Sequence, residues 1–546
     1  MLSTIVNNAF CAKSVNYIIT IMITFIVHHK VITVTNYHPT ELLQLKAYLK
    51  VGVKNRFFAT KYAKGNWDGT ISFINSKNSF SRGLWLQVKH WLTENHLPYK
   101  IETQPRVAIT PLTNPFINQN LTLRPNQLMA LNKWLKHNGF GIIWAPPSFG
   151  KTELAAGVIA AINPTKALFL VNSLDLLLQT QERFNLRLPD YQTGLIGGGR
   201  WEPAQITIAT VQTLASALKK QKVKQLPQRL AELKQLLKET NLIIVDECHH
   251  GQSQQIRAIL NHAPAASYRL GLSARPFYAY STNLQEMTAE DAIVLACLGP
   301  IVHYETTSEL INQGQLAKPQ VLLIPIFHPL ASELDWPAAR KHLFTNKSLL
   351  ETTAALTKAA AAAGQTTQII AGGSRAFSQQ LYTTLISTGI NTIELNGSID
   401  KNIRQQAKLD LNTNQLQAVV TTTVWDEGVD IPNLRQLILG YGGKSLLKLD
   451  QRIGRSLRKK QHGQNAAVVV EFISYGNDHL YKHSLTRLKR YLEEQAYELN
   501  LIYPEQHSSY VRRLLKDHQS SIQLPDAIYY QQLGTATKSP QAVAAP

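Results

Sequence analysis

Two short segments about ninety residues apart carry residue types suited to phosphoryl chemistry. They are Ala145-Pro-Pro-Ser-Phe-Gly-Lys151-Thr152 and Leu242-Ile-Ile-Val-Asp246-Glu247-Cys248-His249. A loop that turns its backbone N–H groups outward and runs straight into a helix gathers partial positive charge where a triphosphate needs it. In that arrangement Pro146, Pro147, Ser148, Phe149 and Gly150 form the cradle, Lys151 reaches the β and γ phosphates, and the Thr152 hydroxyl meets Mg2+. The apolar run 242–245 reads as a buried parallel strand that delivers Asp246 and Glu247 to its C-terminal edge, where open α/β sheets bind ligands. Asp246 then suits the metal and Glu247 the attacking water. ATP and Mg2+ are the expected substrate and cofactor.

A Gly-Lys-Thr triplet alone is a weak signal, and Ala145 stands where the generic loop has glycine. The flanks supply what the triplet lacks: a strand-like run over 140–144 before it and a helix-like run over 153–162 after it. Residues 116–310 alternate strands and helices around these segments, as a doubly wound parallel sheet requires. Residues 318–475 repeat the alternation, with strands expected at 321–326, 367–371, 392–395, 418–422, 436–439 and 467–472. The Ala-rich run 352–363 is a helix by propensity. A charged insertion over 215–239 reads as a solvated helix face, with phosphate contact by Lys219, Lys220, Lys222 and Lys224 as the alternative.

The chain has 546 residues, 56 basic against 36 acidic, and a formal charge of +20. Its long-range field attracts polyanions, nucleic acid ahead of an anionic membrane. The imbalance is strongest over residues 1–110, with 13 Lys/Arg against 4 Asp/Glu and with Phe57, Phe58, Tyr62, Trp67, Trp85 and Trp91 interspersed. Residues 22–115 are therefore expected to form a small basic α+β domain. Within it residues 22–35 read as a hairpin, and Trp67, beside the turn Gly65-Asn-Trp67-Asp68-Gly69, is expected in the core. Cys11, Cys248 and Cys297 have neither metal-ligand spacing nor a disulfide framework, which fits a reducing cytoplasm. The apolar stretch 15–27 is too short to span a bilayer, so no membrane partner is expected. Residues 1–21 read as a dispensable extension ahead of a start at Met22, and 534–546 as disordered.

Further segments, in order, resemble a superfamily-two helicase: Arg124-Pro-Asn-Gln127, Val171-Asn-Ser173, Thr210-Val-Gln212-Thr, Gly271-Leu-Ser273-Ala274-Arg275, Thr422 through Glu427-Gly428-Val-Asp430, and Gln451-Arg-Ile-Gly454-Arg455-Ser-Leu-Arg458. Gly65-Asn-Trp-Asp-Gly69, Gly83-Leu-Trp-Leu-Gln-Val-Lys, Ile196-Gly-Gly-Gly199 and Leu488-Lys-Arg-Tyr-Leu-Glu-Glu resemble the bacteriophage UvsW-type repair and recombination helicases, over about residues 22–503. The resemblance implies an α/β fold of two RecA-like doubly wound parallel-sheet domains, at 116–317 and 318–475, with the small basic domain before them and a helix and tail at 476–546. It implies that Gln127 reads adenine and that Gly428 and Asp430 join the ATP site. Gln451, Arg455 and Arg458 act from the opposite domain, His249 links the acidic strand to Gln451, and Ser273 and Ala274 couple hydrolysis to movement. Ser173, Thr210, Gln212 and Thr422 hold nucleic-acid phosphates. Ser374, after the strand expected at 367–371, either grips phosphate or caps a helix, and Arg452 and Lys459 read as a basic rim.

Three positions depart from the family pattern: Arg275 replaces a small hydroxyl residue, Asn172 a proline, and Phe149 a smaller residue. The implied task is ATP-driven unwinding or branch migration of forked, junction or R-loop DNA in the host cytoplasm. The implied partner is branched or single-stranded DNA, or an RNA–DNA hybrid. An RNA helicase and a translocating subunit of a restriction or repair complex remain the alternatives.

Overall fold

The computed structural model describes residues 22–502, except 55, 104–111, 115, 220–226, 250–252, 329–333, 373, 423–424, 426–430, 441–442 and 461–462. The expected extension 1–21 and tail 534–546, together with Lys220, Lys222, Lys224, Gly428 and Asp430, lie outside the described residues. The chain divides into two units, Met1–Ala108 with Ala279–Pro300, and Ile109–Tyr278 with Ile301–Pro546.

In the first unit Ile23–Val27 and Val31–Thr35 pair antiparallel, as the hairpin pattern requires, and Tyr99–Thr103 and Ser79–Ser81 complete a four-stranded sheet. Phe25, Phe80 and Trp85 pack as tilted and edge-on rings under it. The segment 279–300, expected inside the first nucleotide-binding domain, belongs to this unit instead. Its Leu284 N–H donates to the Tyr48 hydroxyl at 2.9 Å, and Gln87 donates to the Ser281 carbonyl at 3.0 Å. The helix Ala289–Leu298 has apolar residues on nearly every side, eight of its ten residues being buried, so it needs a partner that local sequence does not name. Trp67 is half-buried rather than core: its indole donates to Thr70 O at 2.7 Å, closing the turn on itself. Asp68 accepts from the Thr70 amide and hydroxyl in the same turn.

In the second unit an eight-stranded sheet runs in the order Arg200–Trp201, Thr193–Gly197, Ile206–Thr210, Ala167–Val171, Leu242–Asp246, Tyr268–Ser273, Phe140–Trp144, Ile301–Tyr304. All its pairs except the Arg200–Trp201 hairpin are parallel. Strands such as Ala-Leu-Phe-Leu-Val are buried throughout, because helices cover both faces of a parallel sheet. A seven-stranded parallel sheet follows, in the order Thr392–Leu395, Ala418–Thr421, Thr366–Ile370, Leu434–Leu439, Ala466–Tyr475, Lys318–Phe327, Glu498–Leu501.

The second sheet passes the expected border at 475. The helix Asp478–Leu492 is pinned to it by Arg487, which donates to the fully buried Glu471 at 2.8 and 2.9 Å, while the Tyr491 hydroxyl donates to the other Glu471 oxygen. Glu498–Leu501 then adds the last strand beside Lys318–Phe327. The residues after 475 are thus part of this domain's core.

Candidate active site

Parallel strands place their following loops along one edge, and that edge collects the segments singled out in the sequence. Lys151 opens the helix after Phe140–Trp144, Ser173 caps the helix after Ala167–Val171, and Gln212 follows Ile206–Thr210. Asp246 and Ser273 end their own strands. The second sheet contributes the helix Leu446–Ser456, capped by Ser445, which carries Gln451 and Arg455, with Arg458 just beyond. Between the two sheets lies a cleft of about 450 Å³ lined by Lys151, Thr152, Asp246, Glu247, Gln451, Arg455 and Arg458, with Pro147, Ser148, Gly150 and His249.

The loop is built for close approach. Gly150 has φ +83, and a Cβ there would lie 2.5 Å from Gln127 Nε2. Phe149, bulkier than the family pattern, is fully buried in the apolar core, so its ring points away from the cleft. Across the cleft, the Ser148 hydroxyl donates to Gly454 O at 3.1 Å, and a Cβ on Gly454 would meet Pro147 at 2.4 Å. The helix bearing the arginines can touch the phosphate loop only because position 454 has no side chain.

Lys151 Nζ lies 3.6 Å from Glu247 Oε1 and donates to Ala145 O at 3.3 Å. Glu247 has φ +47 and Ser148 φ +68, left-handed conformations rare outside glycine. Strain of this kind concentrates at functional sites. Burial, then the adjoining Glu247 carboxylate, pushes Asp246 up to about 7, with Lys151 pulling the other way. A divalent cation would reverse that shift. The Ser273 hydroxyl donates to Glu247 Oε2 at 3.1 Å and accepts from Arg275 N at 3.1 Å. His249 Nδ1 stands 4.0 Å from the same Glu247 oxygen, and its ring and Gln451 line the same cleft. Ala274 is buried beside Ser273 and accepts from the Trp144 indole at 2.8 Å.

Several of the expected binding residues have hydrogen-bond partners within the chain. Gln127 is buried, its amide donating to Phe149 O at 2.9 Å and Gly150 O at 3.3 Å while its oxygen accepts from Arg124 N at 2.9 Å. The two amide bonds hold the loop and the Arg124 bond caps the helix Pro125–Lys136; the side chain is not among the described residues that line the cleft. Arg452, read as a rim residue, is only 7% exposed and faces a different cavity, while Lys459 is exposed. Ser173 and Ser374 cap helices, accepting from Leu176 N and Phe377 N at 3.3 Å each. Thr210 is buried and donates to Thr213 at 2.7 Å, Thr422 is buried, and exposed Gln212 donates to Asn172 O at 3.2 Å.

Two of the residues named in the sequence, Arg124 and Arg275, make contacts that the sequence does not announce. Arg124 lines the cleft and donates to Phe149 O and to Gln315 Oε1 at 2.6 Å; burial lowers its pKa. An arginine ahead of a Pro-started helix is the local signal that marks it. Arg275 Nε lies 3.5 Å from Asp450 Oδ2, and Asp450 Oδ1 accepts from Arg490 at 2.8 Å. Nothing in the spacing joins residues so distant in the chain.

A family model described as "Type III restriction enzyme, res subunit" matches residues 120–278, and one described as "Helicase conserved C-terminal domain" matches residues 351–460. The chain is 27% identical over 418 residues to the DNA 3'-5' translocase XPB2 of Sulfurisphaera tokodaii, covering 70% of this chain and 88% of that protein. It is 22% identical over 483 residues to the ATP-dependent DNA helicase uvsW of Enterobacteria phage T4, covering 80% and 91%. The crystal structure of T4 UvsW aligns with 88% of this chain and 99% of its own, at 17% identity and a TM-score of 0.42. The matched regions hold the phosphate loop, the acidic strand and the arginine-bearing helix in order: the chain belongs to the superfamily-two helicases, close to the UvsW type, and is an ATPase of that class.

Proposed function

We propose that the chain is an ATP-driven DNA helicase or translocase that remodels branched DNA. The observation that carries the reading is the convergence of Lys151, Asp246 and Glu247 from one sheet with Gln451, Arg455 and Arg458 from the other on a single cleft. Lys151 binds the β and γ phosphates, leaving the Glu247 carboxylate that holds it in this structure. Glu247, kept in place by Ser273, then accepts the proton of the attacking water. Thr152 and Asp246 are the oxygen donors that fit Mg2+, which would neutralise charge on the phosphates. Arg455 and Arg458 stabilise charge developing on the γ-phosphate, and Gln451 orients it. Arginines in this role are worth on the order of a thousandfold or more in rate. Because they ride on the other sheet, turnover depends on the two sheets staying together, and a strand bound to both favours that state.

Support for branched DNA comes from the first unit. Phe57 and Phe58 are 67% and 89% exposed, beside Lys54, Arg56, Lys61 and Lys64. Exposed rings among cations suit unpaired bases at a junction, where stacking is available and phosphates are near.

The test is steady-state ATP turnover of the full chain with no nucleic acid, single-stranded DNA, a four-way DNA junction and a matched RNA. DNA should stimulate, the junction most, and Lys151→Ala should abolish the stimulated rate while retaining DNA affinity. Stimulation by RNA alone would replace this reading with an RNA helicase. Unchanged turnover in the Lys151 variant would remove the site assignment.

A further inference from the structure

A separate cavity of about 500 Å³ shares no lining residue with the nucleotide cleft. Arg340, Lys444, Lys448, Arg452 and Arg487 reach its wall, and among the described residues that line it there is no aspartate or glutamate. Arg487 is balanced by Glu471, and Asp450, beside this wall in sequence, is engaged by Arg490 and Arg275. Arg340 donates to Gly372 O at 3.2 Å, which fixes its guanidinium at the mouth. Lys444 and Lys448, both exposed, present their ammonium groups at the same wall. The field is felt inside: burial first, then Arg487, Lys444 and His479, pushes His483 down to about 4.

The wall is not only cationic. Trp336 and His483 rings meet at 4.3 Å, giving the cavity an aromatic side. Gly372 and Gly443 follow the strands Thr366–Ile370 and Leu434–Leu439, so the cavity opens at the C-terminal edge of the second sheet, the edge that also carries Ser374 and Thr422. The helix Leu446–Ser456 starts there between Lys444 and Lys448. Cations around a pocket whose described lining has no carboxylate, with a flat aromatic wall beside them, match one chemical unit: a phosphate attached to a nucleoside.

We propose that this cavity is a second phosphate site, which takes a backbone phosphate of the bound strand and lays the adjoining sugar or base against the Trp336–His483 wall. Arg340, Lys444 and Lys448 bind the phosphate oxygens. The source of the phosphate rests on the DNA reading above; the chemistry of the site does not, and a free polyphosphate would satisfy the same groups.

The test uses the full chain with its nucleotide cleft saturated by Mg2+ and a non-hydrolysable ATP analogue. A labelled oligo-dT is titrated at several salt concentrations, and inorganic pyrophosphate is titrated by calorimetry, for the wild type, Lys444→Ala/Lys448→Ala and Arg340→Ala. The lysines are exposed, so the double variant folds. Each cation withdrawn from a strand phosphate should reduce the slope of log K against log salt by about 0.7. The double variant should bind oligo-dT about tenfold more weakly at low salt, a loss of ~1.4 kcal/mol, with basal ATP turnover unchanged. Loss of pyrophosphate binding with an unchanged DNA slope upholds the phosphate site and assigns it to a free anion. Wild-type affinity for both ligands in both variants overturns it. If the wild type binds no DNA at all, the DNA reading fails and the pyrophosphate arm alone decides the site.

Discussion

His328 is held neutral by its neighbours. Asn346 Oδ1 accepts from Leu349 N at 3.1 Å, which turns its amide NH2 toward His328 Nδ1 at 3.2 Å. Nδ1 must then accept, and Nε2 is left as the donor to the Ser474 hydroxyl at 3.2 Å. A proton on Nδ1 would face the Asn346 N–H, and the ring is 1% exposed. Burial accordingly pushes the imidazole down to about 4 from 6.5. The unfolded chain takes up a proton between those two values and the folded chain does not. Stability therefore falls as pH drops from 6.5 toward 4 and levels off below, by on the order of 3 kcal/mol from this residue. His328→Gln should flatten that limb in urea denaturation midpoints measured from pH 7 to 4; an unaltered limb would assign the acid lability elsewhere. Legibility ends at this scale with partners. The sequence shows that Gln127 carries an amide and Arg452 a charge, but not that the amide spends its bonds on Phe149 and Gly150 or that the arginine is buried. Partner choice is decided by atoms many residues away.

Elements were more legible than their borders. The strand Phe140–Trp144 lies where its apolar run places it, because a strand buried on both faces has no polar register to confuse it, and the edge strand Thr392–Leu395 also falls at its expected bounds. The helix Ala289–Leu298 and the strand Glu498–Leu501 were not assigned to their proper neighbours, since pairing over long sequence separation leaves no local trace. The same holds for the strap between the coupling segment and the arginine-bearing helix. Arg275 N donates to the Ser273 hydroxyl that holds Glu247, and its guanidinium reaches Asp450, next to Gln451. One short run of bonds thus joins the carboxylate side of the cleft to the arginine side. Truncating one member of a partly buried pair leaves the other charge poorly matched. Arg275→Ala should lower kcat for ATP about tenfold, ~1.4 kcal/mol, with little change in KM. Combining it with Asp450→Ala should cost less than the sum of the single changes. Additive losses would mean that the two residues act separately.

For the whole molecule, charge brings the chain to nucleic acid and shape selects within it. The +20 net charge raises affinity for any polyanion and fades with salt. On the proposed function, exposed rings would discriminate instead: Arg56 lies over the Phe57 ring at 5.3 Å, and Phe58 is exposed next to it in the chain. Phe57→Ala/Phe58→Ala should weaken binding to a four-way junction by about 1–3 kcal/mol for each stack removed while leaving duplex affinity and basal turnover in place. Equal loss on duplex in gel-shift titrations would make the rings structural. The second sheet has a consequence for how the chain is made. Its earliest strand, Lys318–Phe327, pairs among the described residues only with its last two, Ala466–Tyr475 and Glu498–Leu501. By the time Lys318–Phe327 leaves the ribosome, all strands of the first sheet have been synthesised, ending at the edge strand Ile301–Tyr304. Lys318–Phe327 must then wait for about 140 more residues, on the order of ten seconds at ribosomal rates, with both hydrogen-bonding edges open. The half of the enzyme that supplies the arginines is thus the half born exposed, and it is there that a chaperone, or an aggregate, would meet this chain first.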